Sequence, residues 1–312
     1  MARSRIIVTT LLCVALGFSA GCEREDWGPE TLGRTPKGRE QVVLNHGREA
    51  YKTYCIGCHG EAGDGAGPAA RFLNPKPRDF RSGIIKFAAV ESGELPHDAD
   101  LERVIRSGLH GTAMSQWRFM PKNTVEAVVQ YIKTFAAEAY QRDEPHAAIV
   151  PTLDPWIDGD MDEAREAGAA VYHALARCNN CHPSYMTRRQ IYDLSKQKFG
   201  YGLGTFREDM YEGRVTESDW GQEIQAPDFL AATLRSGADV GSLYRVIVSG
   251  VGGTAMPTWR GALPEEQLWA MVHYIKSLVD LKGSPAAATL RKSLADQPAF
   301  SPPGSAAQEE ES

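Results

Sequence analysis

The sequence predicts an all-α fold made of two tandem copies of one helical unit, on three observations. The chain repeats itself: Leu101 to Met114 matches Leu243 to Met256 at ten of fourteen positions, and Trp117 and Trp259 keep the register. Tyr131-Ile132-Lys133 and Tyr274-Ile275-Lys276 follow in the same order, so the repeat is a domain duplication. Apolar residues recur at three- and four-residue intervals in Val125, Val128, Val129, Ile132 and Phe135, and again in Leu268, Met271, Val272, Ile275 and Leu278, the stripe of an amphipathic helix. No convincing period-two alternation argues for strands.

The 312 residues fit one large domain or two of ordinary size. Hydrophobic residues make up 42% and charged residues 24%, which excludes wholesale disorder. A single apolar run approaches membrane length, at the N-terminus, so a polytopic membrane protein is excluded. The net charge of −6 argues against nucleic acid as a partner.

The elements follow in chain order. Arg3 and Arg5 precede a short apolar stretch, Ile6 to Leu16, and the small residues Ser19-Ala20-Gly21 lead to Cys22. This pattern predicts an export signal over residues 1–21. A cysteine directly after small residues resembles the lipobox of bacterial lipoproteins, although Ser19 stands where leucine is most common. Cys22 is therefore the expected lipidation site, and the expected location is the periplasmic side of the bacterial envelope, anchored to a membrane. Loss of the two arginines with the signal takes the charge from −6 to −8. Residues 22–40 read as a flexible tether.

The first unit spans 41–140, with helices expected over Asn45 to Tyr54 and Thr124 to Ala137. A linker covers 141–159. The second unit spans 160–282, with helices expected over Met161 to Ala176 and Pro264 to Leu281. Pro264 followed by Glu265 and Glu266 is a good helix start, because proline is preformed for the first turn and acids favour the positive dipole end. The second unit carries an insertion at about 183–226. Residues 283–312, rich in Ala, Ser, Pro and Glu, are expected to be a disordered acidic tail.

Chemistry concentrates in Cys55-Ile56-Gly57-Cys58-His59 and Cys178-Asn179-Asn180-Cys181-His182. Cys-x-x-Cys-His is the attachment signature of c-type haem: two thiols three residues apart form thioethers with one porphyrin, and the histidine reaches the iron. A redox disulfide needs no histidine and usually accompanies a strand–helix pattern. A structural zinc site wants a fourth ligand at characteristic spacing. Two copies in an exported, duplicated chain favour haem.

With these motifs the chain resembles a dihaem cytochrome c of two class I domains. The resemblance implies two covalently bound haem c groups, attached through Cys55, Cys58, Cys178 and Cys181. It implies His59 and His182 as proximal iron ligands and Met114 and Met256, each ending a Gly-Thr-Ala-Met run, as distal ones. It further implies that Gly47 with Tyr51, and Gly168 with Tyr172, mark a helix crossing to Tyr131 and Tyr274. By the same resemblance Pro68, in Gly67-Pro68, would offer its carbonyl to the proximal histidine of the first unit. The second unit lacks that pair. Trp117 and Trp259 either face haem propionates or fill the core. Met120, Met186 and Met210 have no counterpart in the other repeat.

Asp79-Phe80 matches Asp228-Phe229, but the gap from the motif histidine is 20 residues in the first unit and 46 in the second. The aromatic-rich extra residues suit a cover for the haem edge or the interdomain seam better than a docking surface. His46, His173 and His273 read as ordinary helix residues. Lys76, Arg78, Arg81 and Lys86 form a basic cluster in sequence, set against an acidic whole.

The implied function is single-electron transfer between redox protein partners, as a free carrier or as the cytochrome subunit of a respiratory or dehydrogenase complex. The alternative is a dihaem enzyme, peroxidase-like or thiosulfate-oxidising, against which the two matched methionine loops argue. No catalytic residue is nominated.

Overall fold

The computed structural model describes residues 36–303. Cys22, the export signal, most of the tether and the final acidic residues lie outside this range. The expected helical fold is present, with one short hairpin added. No helix among the described residues is long and apolar enough to cross a membrane.

In the first repeat α1 (Pro36–Tyr54) leads directly into the short α2 (Ile56–His59), followed by α3 (Asp98–Ser107), α4 (Lys122–Lys133) and α5 (Ala137–Arg142). In the second, α6 (Met161–Ala170) widens into a π-helical turn, Val171–Leu175. It is followed by α7 (Arg188–Phe199), the antiparallel strands β1 (Val215–Glu217) and β2 (Glu223–Gln225), α8 (Val240–Ser249) and α9 (Glu265–Asp280). A last helix, α10 (Pro285–Ala295), closes the described chain.

The apolar stripes seen in sequence face inward. Val125, Val128, Val129 and Ile132 of α4 join Tyr51, Phe80, Leu101 and Ile105 in one cluster. Leu268, Met271, Val272, Ile275 and Leu278 of α9 join Tyr172, Phe229, Leu243 and Ile247 in another. Each fully buried side chain of this size stabilises the fold by about 1.5–3 kcal/mol. In both repeats the two long helices cross on a glycine. A Cβ at Gly47 would lie 2.0 Å from the Ala127 carbonyl oxygen, and one at Gly168 would lie 2.0 Å from that of Ala270. Tyr51 meets Tyr131 at 5.4 Å between ring centroids, and Tyr172 meets Tyr274 at 5.6 Å.

Two expectations need correcting. Residues 36–40 are helical rather than tether, because the chain enters α1 at Pro36, a good first helical residue. Residues 285–295 are helical rather than disordered. Ser284 caps α10 by accepting from Ala287 N at 3.2 Å, Pro285 opens it, and Ala287 and Leu294 are buried. Alanine-rich composition suggested low apolar content, but a helix needs only one narrow apolar face to dock.

The linker is a strap. Ile149 N donates to the Ala89 carbonyl at 2.7 Å, Thr152 Oγ1 donates to Glu265 at 2.8 Å, and Trp156 Nε1 donates to the Glu266 carbonyl at 3.1 Å. Asp154 pairs with His273 at 2.8 Å. The repeats also exchange equivalent bonds across their seam. His110 N donates to the Arg235 carbonyl at 3.0 Å, and Gly252 N donates to the Lys86 carbonyl at 3.2 Å.

Candidate functional site

The first cysteine pair begins at the end of α1. Tyr51 Oη donates to the Gly60 carbonyl at 2.8 Å, tying the helix to the residue after His59. Tyr172 Oη makes the matching bond to the Pro183 carbonyl at 2.9 Å, one residue after His182. The second motif is a 3₁₀ turn, entered through Arg177 in the left-handed region at φ +52°.

The histidines are held alike. His59 Nδ1 lies 3.1 Å from the Arg78 carbonyl oxygen, and His182 Nδ1 lies 3.0 Å from that of Pro227. A carbonyl only accepts, so each Nδ1 carries the proton and each Nε2 keeps a free lone pair. The acceptor in both repeats immediately precedes the Asp-Phe pair. The phenylalanine completes the clamp: Phe80 stacks on His59 at 4.6 Å, and Phe229 on His182 at 5.0 Å. The expected Pro68 acceptor is thus corrected to Arg78, and the second repeat has an equivalent. Gly67 instead donates its N–H to the Cys58 carbonyl at 3.1 Å. Burial lowers the pKa of both rings, opposed in each by this carbonyl bond.

The aspartates are braced too. Asp79 pairs with Arg81 at 2.7 Å. Asp228 pairs with Arg291 of α10 and accepts from Tyr185 Oη at 3.2 Å, so the C-terminal helix supports the second site.

The methionine loops share one internal bonding pattern. Thr112 Oγ1 donates to the Leu109 carbonyl at 2.8 Å, and Thr112 Oγ1 accepts from Met114 N at 3.1 Å. Leu109 N closes the loop onto the Met114 carbonyl at 3.1 Å. Thr254, Val251 and Met256 repeat these contacts at 2.7, 3.2 and 3.2 Å. Met114 is half-buried and packs on the cluster that also receives Cys55 and Trp117. Met256 is half-buried, while Trp259 and Cys178 pack on the second cluster. Met210 and Met271 are fully buried, and Met271 Sδ lies 3.7 Å from Cys178 Sγ.

The four described thiols are unbridged. Burial pushes Cys55 up to about 11 and Cys178 up to about 12, the opposite of an activated redox thiol. Among the described residues there is no group of three or more His, Cys, Asp and Glu side chains that could hold a metal ion. Paired free thiols beside a histidine with Nε2 open, in a repeat that also carries a pinned loop with a soft thioether donor, fit a c-type haem.

The basic cluster seen in sequence is used internally. Lys76 Nζ donates to the Ala70 carbonyl at 2.9 Å, Arg81 pairs with Asp79, and Arg78 covers Trp220 of the hairpin. The hairpin of the insertion therefore lies at the seam between the repeats. Of the ordinary histidines, His46 bonds Thr124, and His173 is fully buried between Tyr274 and Ser184.

A helical unit with a tyrosine-braced Cys-x-x-Cys-His turn and a threonine-pinned methionine loop, present twice, is a cytochrome c domain. Residues 43–132 and 163–275 match the family described as cytochrome c oxidase, cbb3-type, subunit III, and the chain belongs to that family. Cytochrome c domains bind haem c covalently and transfer electrons. Among solved structures the chain is similar to one from the Kuenenia stuttgartiensis reducing HAO-like protein complex Kustc0457/Kustc0458. The identity is 28% and the TM-score 0.60, over 75% of this chain and 96% of that one. No curated protein matches the chain.

Proposed function

We propose that this chain carries two haem c groups and passes single electrons between redox protein partners in the bacterial envelope. Cys55 and Cys58 would attach the first haem, with His59 and Met114 to hold its iron. Cys178 and Cys181 would attach the second, with His182 and Met256. Bound haem c supplies a one-electron iron couple. The chain's own residues do the rest. The Arg78 and Pro227 carbonyls fix the histidine tautomer and raise its basicity, Phe80 and Phe229 fix the ring planes, and the methionine loops supply a thioether that favours ferrous iron. A histidine and a methionine for each haem would leave no open position for substrate, so the carrier reading is preferred to the enzymatic one.

The observation that carries this reading is the duplicated histidine clamp, with Nδ1 bonded and Nε2 free in both repeats. Similarity to a chain from a complex named HAO-like favours a cytochrome that works against a larger redox assembly. Export and a lipid at Cys22 would hold it at the membrane surface. The test is haem quantitation with near-infrared spectroscopy of the ferric protein, plus co-purification from solubilised membranes. Two haems per chain and a sulfur-to-iron band support the reading. A high-spin haem or one haem per chain overturns it.

A further inference from the structure

Both sites meet one aromatic side chain in the hairpin that only the second repeat possesses. Trp220 sits in the turn between β1 and β2. On one side the Arg78 guanidinium lies 3.5 Å from its ring centroid. The ring also lies against Gly253, where a Cβ would be 2.0 Å from Trp220 Cη2. Gly253 has φ +66°, so its place beneath the ring demands both a left-handed backbone and an absent side chain. The neighbouring Asp219 N donates to the Gly253 carbonyl at 3.1 Å, fastening the turn to the same loop.

The two contacts reach opposite ends of the machinery. Arg78 is the residue whose carbonyl accepts from His59. Gly253 is three residues before Met256, in the loop pinned by Thr254. The counterpart of Gly253 in the first repeat, Gly111, is met only by the Thr233 side chain at 3.4 Å. The contact is therefore one-sided: it joins the histidine side of the first site to the methionine side of the second.

We propose that Trp220 is a positioning residue that couples the two haem sites, through Arg78 to His59 and through Gly253 to Met256. The proposal rests on the haem reading above. A cation over an aromatic face is held by the ring quadrupole, and a close-packed stack transmits displacement rather than absorbing it. Movement of the Met256 loop shifts the ring, the ring shifts Arg78, and the carbonyl of Arg78 shifts with it. Coupling of this kind is reciprocal. The ring also keeps water from the Arg78 charge, which favours the reduced form of the first site.

The test uses the full-length haem-loaded protein, with each site followed by the paramagnetic NMR signals of its own haem methyl groups during a redox titration. Trp220→Ala should lower the reduction equilibrium constant of the first site at least threefold. It should also weaken Met256 ligation, read as earlier thermal loss of the near-infrared band in a Met114→Ala background. Trp220→Phe, which keeps a ring on both neighbours, should restore both readouts. Arg78→Met keeps the carbonyl but removes the charge. It should shift the first site, and Trp220→Ala should then add less than its effect alone. Effects confined to the second site, or effects that simply add, would overturn the proposal. Wild-type protein without the near-infrared band would instead defeat the haem ligation on which it rests.

Discussion

The Nδ1–H of His182 reaches the carbonyl of Pro227 at 3.0 Å across 45 residues of sequence, while His59 makes the same bond across 19. The 26 additional residues between histidine and acceptor leave the clamp unchanged. The insertion thus packs into the second site, where Arg214 N donates to the Cys181 carbonyl at 2.7 Å, without altering the clamp, and both irons are expected to have the same ligand set.

Met114→Ala and Met256→Ala should each remove about half of the ferric near-infrared band, because each thioether contributes one sulfur-to-iron transition to two otherwise similar sites. Absorption spectra of the two single variants and the double variant check this. A wild-type bis-histidine signature would defeat the assignment.

Gly168→Ala should destabilise the fold by about 1–3 kcal/mol, the usual range for overpacking. The added Cβ meets the Ala270 carbonyl oxygen at 2.0 Å and Tyr274 Cβ at 2.7 Å, so backbone must move. Urea unfolding should show a lower midpoint with an unchanged slope.

His173 gives the stability a pH dependence. Burial lowers its pKa to about 3, so the folded state keeps it neutral while the unfolded chain takes a proton near the ordinary value of 6.5. The stability is full above pH 6.5 and is lost as pH falls towards 3, at about 1 kcal/mol per pH unit from this group. Denaturation at pH 7 and pH 5 should show a larger drop for wild type than for His173→Gln. Equal drops would show that another group dominates.

Mature protein should begin at Cys22 with lipid on its thiol and partition into detergent. Stable anchoring requires more than one acyl chain, as a bacterial lipoprotein carries. Mass spectrometry of the mature N-terminus decides it, and an unmodified Cys22 would refute the anchor.

Electron transfer should be faster with a basic than with an acidic small cytochrome, and the advantage should shrink with salt as screening sets in over roughly 8 Å. The overall charge of −6 sets this sign. Of the basic residues that could reverse it locally, Arg78 lies against Trp220 and the exposed Arg81 is neutralised by its pairing with Asp79. Stopped-flow rates against ionic strength check the sign.

The crossing helices were legible through the family resemblance, whose glycine and tyrosine recur at the same spacing in both repeats, Gly47 with Tyr51 and Gly168 with Tyr172. The histidine acceptors were not, because a backbone carbonyl leaves no mark on residue identity. Pro68 was expected from the family resemblance, while Arg78 and Pro227 share only a position before Asp-Phe. Helix α10 escaped notice because Ala287 and Leu294 are too few to stand out from an alanine-rich segment, although Ser284-Pro285 is a sound helix start. The hairpin was hidden by its length of three residues per strand.

The crossed bonds of the seam, His110 to Arg235 and Gly252 to Lys86, are the pair that two identical single-repeat chains would form about a twofold axis. In such a dimer they would compete with dissociation on dilution. Here one connecting segment, Asp143 to Asp160, joins the halves, and the effective concentration of each for the other stays near the millimolar range whatever the protein concentration. The fusion also frees the halves from being identical. One face could acquire a tryptophan hairpin and the other keep its short loop, so a symmetric assembly has become one with a direction.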